Sequence, residues 1–157
     1  MALSLIAVLL LLVTVLRIVQ LEKRSAVRSF LALPVLALAV LELTDLLALE
    51  SFWPARDWKR TGLFVEALLP PLWLLLSLTY ARELPERGLA LRTRVLLACG
   101  CLLLLLPAFL PVASFYYAPD FPGEPLLFLA DAGFYFYITI LALLVMALIN
   151  FESTLVH

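Results

Sequence analysis

Four acidic residues lie within or beside long apolar stretches of this 157-residue chain: Glu42, Asp45, Glu66 and Asp131. A carboxylate in hydrocarbon is costly, so it must be protonated, paired with a cation or reached by water. Acids placed in this way bind protons or cations, or pair with basic side chains. The three-residue spacing of Glu42 and Asp45 puts both on one face of a helix.

Three basic residues, Arg56, Lys59 and Arg60, follow the first pair of acids and are the predicted counter-charges. Two interpretations stay open. The acids and these cations could form purely structural ion pairs. Alternatively, the acids could line a polar pocket near the outer face of a membrane, where they bind a ligand or respond to protons.

The central apolar stretch, residues 62–80, combines Glu66 with the prolines Pro70 and Pro71. A proline has no N–H, so in a helix these two leave the carbonyls four residues earlier without their usual donors and predict a kink. Residues that recur every three or four positions share a helical face. The predicted bundle-facing side chains are Trp73, Ser77 and Tyr80 here and Tyr135 and Thr139 in the last apolar stretch. A simpler role for the hydroxyl groups is to hold helices together.

Composition identifies the class of protein. Hydrophobic residues form 65% of the chain, charged residues 15%, and the mean hydropathy is +1.10. Soluble domains are roughly 45–50% apolar. The chain is therefore predicted to be an all-α polytopic membrane helix bundle and a single transmembrane domain over residues 1–157. Its net charge of −1 argues against a nucleic-acid partner. Cys99 and Cys101 are interpreted as buried thiols.

Five stretches have about the 20 residues needed to cross a bilayer. The predicted spans are residues 2–19, 29–49, 62–80, 91–111 and 126–150. The loops after the first and third spans carry more lysine and arginine than those after the second and fourth, which predicts an outside N-terminus and an inside C-terminus. Basic residues follow the first stretch instead of preceding it, so we expect an uncleaved helix and not a signal peptide.

This topology places the acids of spans two, three and five at a similar depth near the outer face, with Glu66 roughly 6 Å inside the start of its span. No glycine-rich phosphate loop, serine–histidine pairing or histidine cluster occurs, and the one histidine is His157. We therefore expect no cofactor, no metal site and no enzymatic activity from this chain.

Three segments resemble the N-terminal seven-helix membrane region of bacterial sensor histidine kinases. They are WKRTGLFVEALLPPLWLLLSLTYARE (58–83), LELTDLLALESFW (41–53) and NFESTL (150–155), the last similar to kinases associated with the PEP-CTERM/exosortase system. The resemblance implies a two-component signal-input domain in the bacterial inner membrane. It also implies a cytoplasmic signalling module in cis or in trans, and a possible homodimer.

The chain departs from that family in having five predicted spans instead of seven, and in lacking the kinase, GAF or diguanylate-cyclase modules that normally follow. It is expected to be either a fragment of a longer receptor or a stand-alone relative. A sensory membrane domain is the leading functional hypothesis. The alternatives are a small cation- or proton-coupled transporter, which needs polar groups continuing to the inner side, and a structural subunit of a membrane complex, which would purify with a partner.

Overall fold

A computed structural model describes residues 2–20, 26–50, 55–81, 91–117 and 128–155, and nearly all of these are helical. The helices are α1 (Ala2–Gln20), α2 (Ala26–Glu50), α3 (Ala55–Ala81), α4 (Leu91–Leu103), α5 (Leu105–Phe109), α6 (Val112–Phe115) and α7 (Asp131–Leu155). Two short strands, β1 (Tyr116–Tyr117) and β2 (Phe128–Leu129), pair in an antiparallel hairpin just before α7.

Three of the helices in the described ranges are long and apolar enough to cross a membrane: their candidate spans are Phe30–Ala48, Asp57–Leu78 and Asp131–Glu152. Two further apolar segments, Ser4–Gln20 and Arg94–Phe109, are shorter. Many leucines on the outer surface of the bundle are exposed, as lipid-facing side chains are in a membrane. The chain is therefore a membrane protein with a helical fold.

The helix boundaries differ from the sequence prediction at α2 and α3. Helix α2 begins at Ala26 instead of residue 29, and α3 begins at Ala55 instead of residue 62. The charged segment expected to connect spans two and three is thus largely the first two turns of α3. A polar segment continues a helix readily when its backbone is bonded internally, and hydropathy alone does not detect that continuation.

The predicted fourth span, residues 91–111, is interrupted. Helix α4 ends at Leu103, α5 follows after Leu104, and the backbone of Leu110 is extended. Pro107 has no N–H to donate to the carbonyl four residues earlier, at the point where α4 stops. Pro111 then stands before the short α6 with an extended backbone. The fifth predicted span begins five residues late, at Asp131, because β2 occupies Phe128–Leu129.

Helix α3 is the centre of the bundle and packs against α2, α4 and α7. Contacts fix the relative directions. Gly62 lies beside Thr44, while Lys59 lies beside Asp45, so α2 and α3 are antiparallel. Gly100 lies against Pro71, and Arg60 reaches Ala108, so α4 and α5 also run opposite to α3.

Helix α7, in contrast, runs parallel to α3. Glu66, near the middle of α3, contacts Tyr137 in the second turn of α7, and Ser77 contacts Asn150 closer to the end of both helices. The main core lies chiefly between these two helices, with contributions from α4 and α6. It is formed by Leu63, Ala67, Leu74, Leu103, Phe115, Phe136, Ile140, Leu143 and Ala147.

Phe115 joins the hairpin end of the molecule to this core. Its ring meets that of Phe136 edge to face at 5.2 Å, and its carbonyl accepts a hydrogen bond of 2.9 Å from the Ala130 N–H. The first turn of α7 approaches the same carbonyl so closely that a Cβ atom at Gly133 would lie 2.2 Å from it. Only glycine fits at this position, and the close approach holds β1 against the start of α7.

Candidate functional site: a polar cluster between α3 and α7

A chain of three hydroxyl and carboxyl groups joins α3, α7 and β1. The Tyr137 hydroxyl donates to Glu66 Oε2 at 2.5 Å. The Tyr116 hydroxyl is in turn hydrogen bonded to the Tyr137 hydroxyl. All three side chains are half-buried. A carboxyl group removed from water needs donors to offset the lost hydration, and Tyr137 supplies one from the neighbouring helix.

The helical setting of Glu66 places it at this interface. It lies one turn before Pro70 in α3, which continues as a helix through Pro70 and Pro71; both prolines are buried. Pro70 cannot donate to the backbone carbonyl of Glu66. Pro71 packs against Gly100 of α4, where an added Cβ would come within 3.2 Å of the proline ring. Pro71 therefore provides a close packing surface for α4.

Tyr116 lies outside the candidate membrane spans, at the first position of β1. Burial raises the pKa of its phenol to about 12, and the negative Glu66 carboxyl adds to the rise. The unfolded-state value of 10.0 is already above physiological pH. Tyr116 is therefore a neutral phenol, able both to donate and to accept one end of the chain.

A second polar contact lies two turns earlier on α3, where Lys59 Nζ and Asp45 Oδ1 are 2.5 Å apart. The side chains are 27% and 47% exposed, respectively, so water screens much of their attraction. Both charges also act on the Glu66 carboxyl, and their effects oppose each other. One carboxyl, that of Asp45, is thus paired with a cation, and the other, that of Glu66, accepts from the Tyr137 phenol.

The other predicted acids do not join this cluster. Glu42 is half-buried, and no hydrogen bond or ion pair of its side chain occurs among the described residues. Asp131 is exposed at the first position of α7, where a negative charge favours the helix dipole. Glu66 lies nine residues inside Asp57, the start of its candidate span, or roughly 14 Å along the helix. The predicted single layer of four acids is therefore corrected to two separate contacts at different depths.

The predicted counter-charges have different positions. Lys59 is the partner of Asp45, whereas the exposed Arg60 guanidinium lies 3.4 Å from the Ala108 carbonyl. Ala108 is in the last turn of α5, where backbone carbonyls lack helical donors and a cation is favourable. The side chain of Arg56 lies outside the described residues, although its backbone belongs to α3.

The bundle-facing prediction for the last span is wrong by one residue. Tyr135 is 68% exposed, and Thr139, also exposed, bonds back to the Tyr135 carbonyl of its own helix. The buried face instead contains Phe136 and Ile140. Adjacent positions on a helix point about 100° apart, so a shift of one residue moves a stripe from the interior to the surface.

Two of the three residues predicted to face the bundle on the third span have described side chains, and Pro70 shares their helical face. Pro70 and Ser77 are buried, and Trp73 is half-buried beside the core; the Tyr80 side chain lies outside the described residues. Ser77 Oγ donates to the Leu74 carbonyl at 2.8 Å and accepts from Asn150 Nδ2 at 2.9 Å. This contact ties the far ends of α3 and α7 together.

Neither tyrosine of this hydrogen-bonded cluster, Tyr116 or Tyr137, was selected as a candidate site residue from the sequence. Tyr137 stands next to the exposed stripe in a segment with apolar residues on every side, so hydropathy gave no reason to select it. Tyr116 lies outside all five predicted spans, where no candidate site was sought. Cys99 and Cys101, expected to be buried, are exposed thiols on α4. In a membrane the outward side is itself apolar, so a small hydrophobic residue has no reason to be internal.

Each phenol hydroxyl can act as donor or as acceptor, so a change in the protonation of the carboxyl can reverse both hydrogen bonds. Such a change at α3 then alters the hydrogen bonding of α7 and β1. The same side chains join the α3–α7 interface to the β1–β2 hairpin, which lies outside the candidate membrane spans. Comparison with protein-family models, with curated proteins and with solved structures finds no match to this chain.

Proposed function

We propose that this protein is a sensory membrane domain. A stimulus acts on the hydrogen-bonded groups of Glu66, Tyr137 and Tyr116, and α7 transmits the resulting change to a cytoplasmic signalling module. The observation that supports the proposal most directly is that the hydrogen bonds of these three side chains join α3, α7 and β1. A change in the charge or hydrogen bonding of Glu66 therefore alters the contacts of the hairpin and of α7, whose far end would enter the cytoplasm. Two-state coupling needs a group that interacts differently in the two states, and a half-buried carboxyl meets that need.

The proposed topology has five crossings with the N-terminus outside, in the bacterial inner membrane. The antiparallel packing of α4 and α5 on α3, and the parallel packing of α7, support an alternating path in which α4 and α5 form one crossing. The distribution of lysine and arginine favours placing the start of α3 outside. A reporter enzyme fused after residue 157 should be active on the cytoplasmic side only; a periplasmic signal would reject this orientation.

Transport is less well supported by the geometry. A cation or proton path needs polar groups from one side of the membrane to the other. Between the Glu66–Tyr137 contact and the Ser77–Asn150 contact, the helix interface is filled by Leu74, Ile140, Leu143 and other apolar core residues. A structural subunit that binds a neighbour's basic residues has no specific contact in its favour, since Asp45 is paired within the chain.

The proposed function is tested by joining residue 157 to a histidine-kinase output module in a reporter strain. Glu66→Gln keeps the shape of the side chain but removes its charge, and it should lock or abolish the response while the protein still inserts. Asp131→Asn is the matched control, because that acid is exposed and outside the cluster. A response to the stimulus in Glu66→Gln equal to that of the wild type would reject the sensory role of the cluster.

A further inference from the structure

We propose that the ligand of this site is a proton, and that its binding to Glu66 reverses the direction of the hydrogen-bond chain as far as the β1–β2 hairpin. This inference rests on the proposed function for its biological use, because it names the stimulus and the element that responds. Its physical basis is the arrangement of three oxygen atoms: Glu66 Oε2 and the hydroxyl oxygens of Tyr137 and Tyr116. The hydrogen count gives one order of donors when the carboxyl is ionised and the reverse order when Oε2 carries a proton.

With Glu66 ionised, the carboxylate can only accept. Tyr137 has a single hydroxyl hydrogen, and it is used in the bond to Glu66 Oε2. The remaining bond between the phenols must therefore be donated by Tyr116 to the Tyr137 oxygen. In this state both hydroxyl hydrogens point inward, toward Glu66, and the Tyr116 oxygen offers only lone pairs to groups outside the chain.

Adding one proton to Glu66 Oε2 changes this order. The carboxylic acid becomes a donor to Tyr137, whose own hydrogen then has to turn toward Tyr116. The Tyr116 hydrogen is displaced from the chain and needs an acceptor beyond it. No covalent bond other than the new O–H is formed, and no proton leaves the phenols. The net result is that Tyr116 changes from an acceptor to a donor toward its surroundings.

The titratable groups that act on Glu66 or extend its hydrogen bonds come from four elements. Tyr137 belongs to α7, Tyr116 to β1, Asp45 to α2 and Lys59 to α3 itself. Asp45 and Lys59 form an ion pair, so their charges oppose each other at Glu66. Within the described part of the protein, the phenols are thus the groups whose hydrogen bonds must change when Glu66 Oε2 gains a proton.

The hairpin is the element that receives this change. Tyr116 is the first residue of β1 and is paired with Leu129 of β2. The next residue, Ala130, bonds to Phe115 and leads directly into α7. A new hydrogen-bond requirement at Tyr116 therefore acts on the short segment that joins the hairpin to α7, which is also the helix that contacts Glu66 through Tyr137.

Infrared difference spectroscopy of the full chain in lipid nanodiscs, recorded between pH 5 and pH 9, tests the proposal. The wild type should show a carboxylic-acid carbonyl band that appears with acid, together with a change in tyrosine bands. Glu66→Gln should lose both. Tyr116→Phe and Tyr137→Phe should keep a titrating carboxyl band and lose most of the tyrosine change. Tyr135→Phe, a matched exposed tyrosine on the same helix, should resemble the wild type.

Two results would overturn the inference. One is a carboxyl band in Glu66→Gln identical to that of the wild type, which would show that Glu66 does not take up the proton. The other is an unchanged tyrosine signal in Tyr116→Phe, which would mean that the proton binds the other carboxyl oxygen or that the chain does not reverse. Both results concern the purified protein, so they are distinct from a failed reporter response, which rejects the sensory function even if Glu66 titrates as proposed.

Discussion

Glu66 on α3 and Tyr137 on α7 are joined by a 2.5 Å hydrogen bond across 71 positions of the chain. The bond connects the central helix of the bundle to a helix that packs parallel to it. Tyr116 extends the same chain of groups to the hairpin. Because each member has its partner on a different element, a single substitution should loosen an interface instead of a local turn.

Removing the Tyr137 hydroxyl should destabilise the bundle. Tyr137→Phe leaves the Glu66 carboxyl and the Tyr116 hydroxyl without this partner, at a cost of about 1–3 kcal/mol. Tyr135→Phe should change stability by less than about 0.5 kcal/mol, because that side chain is 68% exposed. Reversible unfolding in mixed micelles measures both. Equal stabilities for the two variants would contradict the assignment of the buried face of α7.

The contact at the far ends of α3 and α7 should have a smaller effect. Ser77→Ala removes the oxygen that accepts from Asn150, and interhelical hydrogen bonds in membranes average about 0.6 kcal/mol. The matched control is Thr139→Ala, whose hydroxyl is exposed and bonds only within its own helix. A larger loss in the control, again measured by micelle unfolding, would argue against the Ser77–Asn150 contact.

Gly133 should not tolerate a side chain. In Gly133→Ala the new Cβ would lie 2.2 Å from the Phe115 carbonyl oxygen, so the hairpin or the first turn of α7 must move. Overpacking of this kind costs about 1–3 kcal/mol. Gly62→Ala meets Thr44 only at 3.4 Å, and alanine favours the helix, so that control should remain as stable as the wild type or gain stability. Thermal unfolding of both variants in detergent compares them, and a tolerated Gly133→Ala would mean that α7 begins further from β1.

The Asp45–Lys59 pair should contribute little to stability and should respond to salt. Both side chains are partly exposed, and exposed ion pairs are worth about 0–1 kcal/mol. A double-mutant cycle with Asp45→Asn and Lys59→Met measures the coupling directly, and raising the salt concentration should reduce it. A strong, salt-independent coupling would instead indicate a pair sealed from water.

The helical membrane fold is predictable from this sequence because it follows from bulk quantities. Apolar content and the length of apolar runs require internally bonded helices wherever the chain meets hydrocarbon. The exact limits are not predictable in this way. Lys59 and Arg60 look like loop residues by hydropathy, yet they extend α3, and Pro107 divides a run that composition alone makes continuous.

The partners of Glu66 were harder to predict than Glu66 itself. An acid inside an apolar run stands out in any sequence, whereas Tyr137 is one aromatic residue among several. In a soluble helix the polar face would have shown which side of α7 is exposed. In a membrane helix both sides are apolar, so Tyr135 and Tyr137 are equivalent until the packing against Phe115 and Gly133 is known.

The long interval between Glu66 and Tyr137 has a consequence for biogenesis. During synthesis α3 must enter the bilayer well before the ribosome has produced α7, so its carboxyl spends that time without the phenol that later accompanies it. Until α7 is made, the Glu66 carboxyl lies in an apolar helix without this hydrogen-bond donor. The neighbour already available to pack against α3 is the antiparallel α2. The Glu66–Tyr137 hydrogen bond can therefore form only after α7 has been made, 71 positions later in the sequence.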